Sequence, residues 1–90
     1  MSDVCRTVRI VNRRGLHARA SAKFVTLASA QPVEVRVGKE GSEVTGTSIM
    51  GLMMLGAAMG DEISIRAKGD GAEGAVARLC ELVEAKFGED

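Results

Sequence analysis

Residues 13–25 read RRGLHARASAKFV and contain the one histidine of a 90-residue chain. Gly15 permits a tight turn. A helical apolar period begins at about Ala18, so His17 falls at the helix N-cap. The first N–H groups of a helix lack intrahelical partners and carry the positive end of its dipole. A phosphate placed there meets free donors and a favourable field. Arg19, at the start of the helix, can add charge-assisted hydrogen bonds. The group therefore suits a histidine that carries a phosphoryl group. The same residues equally suit a solvated histidine that simply caps a helix, and their types and spacing leave both readings open. A metal role requires further ligands at useful spacing, and His17 has none nearby. A Cys–His nucleophile pair requires an activated thiol, and neither Cys5 nor Cys80 carries an activating motif.

Alternating segments supply the frame that must hold these residues. VEVRV (33–37) and EISIRAK (62–68) each put apolar residues on one face and polar residues on the other, as half-buried strands do. VRIV (8–11) is a third such segment and EVTG (43–46) a short fourth. GKEGS (38–42) reads as a hairpin turn. Residues 18–30 form a helix with Ala20, Phe24, Leu27 and Ala28 on its apolar face and Arg19, Lys23 and Thr26 opposite. Pro32 closes it. Residues 72–87 form another, with Val76, Leu79, Cys80, Val83 and Phe87 at helical spacing and Gly88 as its stop. SIMGLMML (48–55) is a short helix with Ser48 as N-cap and Gly56 at its end. The order is β-α-β-β-α-β-α. One-faced strands and helices that need covering predict an α+β fold, with three helices on one face of a four-stranded, mainly antiparallel sheet.

Ninety residues make one domain, 1–90, with a small core. The sequence holds no Trp or Tyr and two Phe. An aliphatic core this small leaves little space for an enclosed substrate cavity, so chemistry is expected at the surface. Twelve basic and twelve acidic residues balance. Residues 1–39 nevertheless hold eight Lys/Arg against two Asp/Glu, and residues 40–90 four against ten. The zero total and the lack of stacking aromatics argue against nucleic-acid binding. The basic half suits an acidic protein partner or a phosphate. Cys5 and Cys80 are expected as reduced thiols in or near the core. No signal segment or membrane-length apolar run is present, which predicts a cytoplasmic location.

The segments RGLHARASAKFV and TSIMGLMMLGAAMGDEISI (47–65) together resemble the HPr family, the histidine-containing phosphocarriers of the bacterial phosphotransferase system. The resemblance covers nearly the whole chain. It implies an HPr-like open-faced β-sandwich. It implies a carrier rather than an enzyme, monomeric and without cofactor or metal. His17 would take phosphate on Nδ1 from phosphorylated Enzyme I and pass it to EIIA domains, with Arg19 stabilising the phosphate. Ser48 would be a regulatory site for HPr kinase/phosphorylase. Leu16, Ala18, Ile49, Met50, Gly51 and Met53 would form the docking surface, with methionines supplying a pliable apolar patch and Gly51 allowing close approach. Where the family usually has Pro after the active-site Arg, this chain has Ala20. Alanine is a strong helix former, so fold and acceptor are expected to persist.

Two other functions compete. A regulatory binding module of the same fold would act through docking alone, but has no need of a histidine beside Arg19. A nucleic-acid binder could use NRRGLHARASAK, against the charge balance already noted.

Overall fold

The computed structural model describes residues 3–89, so Met1, Ser2 and Asp90 lie outside the described residues. The elements run β1 (Asp3–Arg9), α1 (Ala18–Ser29), β2 (Val35–Lys39), β3 (Ser42–Thr45), α2 (Ile49–Met54), β4 (Glu62–Lys68) and α3 (Ala72–Glu84), followed by a 3₁₀ turn at Lys86–Gly88. The strand order is β1-β4-β2-β3 and every pairing is antiparallel. β4 therefore separates β1 from β2. Ile65 stands opposite Arg6 on one side and Val37 on the other. Three helices cover one face, and similarly the alternating strands turn one face to the core.

That core is the aliphatic one the composition requires. Ile10, Val35, Val37, Ile63 and Ile65 from the sheet side meet Phe24, Leu52, Val76, Leu79 and Val83 from the helices, all buried. Phe24 fills the centre of α1's inner face, where truncation to Ala is expected to cost about 3–5 kcal/mol. The other sheet face is polar. Arg66 and Arg36 both pair with Glu43, at 2.7 and 3.3 Å, and Arg9 pairs with Glu62.

Several boundaries differ from the sequence reading, each for a physical reason. β1 lies at Asp3–Arg9 rather than 8–11, because its pairing with β4 extends from Asp3↔Lys68 to Arg9↔Glu62. β2 lies two residues later than expected, since its ladder with β4 opens at Val35↔Ala67. The hairpin after it turns through Glu40 and Gly41, both at positive φ, as a tight two-residue connection requires. Leu27 is only partly buried, and Ser21 takes an inner position instead, its hydroxyl donating to the Leu16 carbonyl at 3.2 Å.

The expected helix at 72–87 stops at Glu84. Lys86 and Phe87 adopt left-handed φ values of 58° and 55°, which reverses the chain and drops Phe87 into the core. Lys23 of α1 fastens this turn, its ammonium donating to the Phe87 carbonyl at 2.7 Å. Cys5 corrects the expectation of two core thiols. It is exposed, because it shares the outer face of β1 with Thr7 and Arg9 while Val4 and Val8 take the inner one. Cys80 is buried, and burial pushes its thiol pKa up, with the Arg6 charge partly opposing. No helix among the described residues is long and apolar enough to cross a membrane.

Candidate functional site

The site begins where β1 runs out. Ile10 still pairs through its backbone with the turn before β4, its N–H reaching Asp61 and its carbonyl accepting from Gly60, each at 2.8 Å. Asn12 then turns inward and is fully buried. Its amide donates to the Gly15 carbonyl at 2.9 Å, while the Gly15 N–H donates back to the Asn12 carbonyl at 3.3 Å. Gly15 has φ 64°, and a Cβ there would lie 2.3 Å from the Ala57 carbonyl oxygen. Leu16 donates its N–H to that same oxygen at 3.0 Å. The strand-to-helix loop is thus fixed to the segment after α2.

This anchoring delivers His17 to the N-cap of α1 with extended backbone, φ −75° and ψ 179°. The His17 carbonyl accepts the first helical bond, from Ser21 N–H, at 2.9 Å. The N–H groups of Ala18, Arg19 and Ala20 precede that ladder, as first-turn donors do. Nδ1 of His17 accepts from the Arg19 N–H at 3.2 Å. An imidazole nitrogen that accepts carries no proton, so these partners assign the ring proton to Nε2. Nε2 then donates to Oε2 of Glu89 at 2.6 Å. The Asn12 amide donates to the other carboxylate oxygen at 3.2 Å. Burial works against the Glu89 charge, but the hydrogen bonds from His17 and Asn12, with the nearby Lys23 ammonium, hold its carboxyl below the ordinary range.

Around this point the charge is basic. Arg13, Arg14, Arg19 and Lys23 are all exposed, and the first turn of α1 contains no acidic residue. The arrangement offers an aromatic nitrogen lone pair at the positive end of a twelve-residue helix. It can form a bond to phosphorus and meet the incoming oxygens with N–H donors. A groove of about 760 Å³ lies elsewhere. It runs across the polar sheet face along Arg9, Lys39, Glu43 and Asp61, and its lining does not include His17.

The second segment supplies the neighbouring surface. Ser48 is the N-cap of α2, its hydroxyl accepting from Gly51 N–H at 2.9 Å. Leu52 and Leu55 face inward. Ile49, Met50 and Met53 are exposed. Met54 and Met59 are exposed too, at 79% and 59%. Ala18 is exposed. Leu16 corrects the expectation: it is buried at 5% exposure, because its N–H is tied to Ala57, and so it supports the loop rather than presenting a surface. Gly51 allows a close approach, but toward its own fold. A Cβ there would lie 3.1 Å from both Val44 of β3 and the Ser48 hydroxyl.

Asn12 and Glu89 are the site residues that sequence reasoning missed. Asn12 reads as an ordinary turn former. Glu89 stands 72 residues from His17, and nothing in the local pattern connects them.

Residues 4–85 match the family model described as the PTS HPr component phosphorylation site. The chain belongs to the HPr family. It is 47% identical over 83 residues to the phosphocarrier protein HPr of Neisseria meningitidis serogroup B, covering 92% of this chain and 93% of that one. It is 39% identical over 89 residues to the phosphocarrier protein NPr of Shewanella violacea, covering 99% and 98%. The fold superposes on an HPr structure from Thermoanaerobacter tengcongensis with a TM-score of 0.89 at 42% identity, over 100% of this chain and 99% of that one. As an HPr-family member the chain is a phosphocarrier of the phosphotransferase system, not an enzyme with its own catalytic activity. Its partners are other proteins of that system.

Proposed function

We propose that Nδ1 of His17 takes a phosphoryl group from phosphorylated Enzyme I and passes it to EIIA domains, with the chain working as a one-domain monomeric carrier in the cytoplasm. The observation that carries this reading is the ring's placement. His17 caps α1 with Nδ1 unprotonated and accepting from the Arg19 N–H of the first turn. In the forward step the Nδ1 lone pair forms a bond to phosphorus while the bond to the donor's leaving atom breaks, its electron pair departing with the donor. The N–H groups of the first turn and the Arg19 guanidinium then neutralise phosphoryl oxygens. Such a transfer depends on positioning and preorganised charge. The group leaves by the reverse displacement when an acceptor docks.

Docking is assigned to Ala18 and to the apolar patch of Ile49, Met50 and Met53, extended by Met54 and Met59. Gly51 keeps α2 close to β3 beneath that patch. Ser48, at its edge, is assigned as a regulatory phosphorylation site for HPr kinase/phosphorylase.

The test is incubation with phosphoenolpyruvate and Enzyme I, reading acid-labile phosphate. Labelling of the parent chain and none of His17→Ala is expected. Full labelling of a folded His17→Ala chain would overturn the assignment.

A further inference from the structure

Glu89 is the one carboxylate in contact with His17 among the described residues, and the chain goes to some length to put it there. After α3 the backbone passes through two consecutive non-glycine residues in the left-handed region, Lys86 and Phe87. Such conformations cost free energy and persist where the surroundings over-determine them. Here the surroundings are specific. The Phe87 ring is 1% exposed in the core, and its carbonyl is held by Lys23. Two residues later the Glu89 side chain lies only 17% exposed between His17 and the buried Asn12, with one carboxylate oxygen on each.

We propose that Glu89 is a positioning residue for His17. By accepting from Nε2–H, it holds the ring in one orientation with the lone pair on Nδ1, and Asn12 fixes the carboxylate in turn. This assignment rests on the phosphocarrier reading. A carboxylate on the far nitrogen of a reactive imidazole fixes tautomer and ring orientation and stabilises positive charge that develops on the ring. When Nδ1 forms its bond to phosphorus, the ring gains cationic character and keeps the Nε2 proton. The electrons for the new bond come from Nδ1, and no proton needs to leave. Glu89 meets that charge at 2.6 Å on Nε2, the ring nitrogen that does not take the phosphoryl group.

The experiment compares the full chain with Glu89→Ala and Glu89→Asp. The His17 Nε2 proton is followed by nitrogen-15 NMR, and initial labelling from phosphoenolpyruvate and Enzyme I is followed on the same samples. In the parent chain the Nε2 proton is expected to be protected from exchange with solvent. Glu89→Ala should lose that protection and slow labelling by about tenfold while the backbone spectrum of the core is unchanged. Glu89→Asp should recover part of both. A protected Nε2 proton in Glu89→Ala, or labelling as fast as the parent's, overturns the assignment. A parent chain that shows the protected proton but takes no phosphate overturns the phosphocarrier reading, and the positioning role falls with it.

Discussion

Gly15 and Ala57 approach so closely that no side chain fits between them. The loop carrying His17 rests its backbone on the segment that follows α2, with a would-be Cβ 2.3 Å from the Ala57 carbonyl oxygen and φ at 64°. Gly15→Ala must therefore strain the backbone and displace a carbonyl that Leu16 also uses. A loss of about 2–4 kcal/mol in urea unfolding is expected. A loss under about 0.5 kcal/mol, the range of ordinary surface substitutions, would show that the loop is free to move off Ala57.

Arg19 should matter to transfer more than to stability. Its side chain is exposed on α1, and its N–H bond to His17 Nδ1 comes from the backbone, which any residue but proline supplies. Arg19→Ala is expected to slow phosphotransfer by about 10- to 100-fold and to melt within about 2 °C of the parent. Unfolding at lower temperature with normal transfer per folded molecule would make its role structural.

Ser48 separates capping from docking. Ser48→Ala removes the acceptor for Gly51 N–H and should cost about 1 kcal/mol. Ser48→Asp keeps a good cap, so it should melt no lower than the parent. It also places negative charge beside Ile49 and Met50. Like charge or an unpaired desolvated charge across an interface costs several kcal/mol, and about 1.4 kcal/mol is already tenfold in affinity. Initial rates against Enzyme I at varied carrier concentration should show an apparent affinity weakened at least about tenfold. An unchanged affinity would leave Ser48 as a helix cap only.

The two lowered carboxyl groups set the acid response. Glu89 and Glu43 titrate below their ordinary value of 4.5 in the folded chain, so both bind protons less readily folded than unfolded. Burial opposes each charge, and hydrogen bonds outweigh it: from His17 and Asn12 for Glu89, from Arg66 and Arg36 for Glu43. Their contribution is fully present above 4.5 and is lost as pH falls through the folded values. Thermal melting of Glu89→Gln should lie below the parent's near neutral pH, and the gap should narrow as pH falls from 4.5 through the lower folded value. A gap that persists unchanged in acid would mean the carboxylate contributes nothing through its charge.

The legible parts of this molecule were the local ones. His17 and Ser48 announce themselves as caps because a helix start is written within a few residues, and each is found accepting from the N–H two or three positions on. Strands β2 and β4 and their wet faces followed from alternation, whereas β1 begins at Asp3, well before the VRIV segment that marked it. Phe87 misled because it continues the apolar spacing from Val83, although the backbone has already left the helix at Glu84. A side-chain period records which residues want burial, not which backbone takes them there. Leu16 misled for the related reason that a loop residue beside a reactive histidine can still be core. Glu89, Asn12 and the central place of β4 depend on contacts between distant segments, which no window of sequence displays.

The position of β4 has a consequence for how the chain comes off the ribosome. β1 and β2 never touch through hydrogen bonds; each waits for residues 62–68. Until those emerge, the only sheet contact open to the growing chain is the β2–β3 hairpin, whose strands are joined by two residues. An isolated hairpin is marginal in water, so the chain must be synthesised through Lys68 before the native sheet can form. Assembly is then late and concerted, dominated by long-range pairing that slows folding, and β1 leaves the ribosome with both of its edges unpaired.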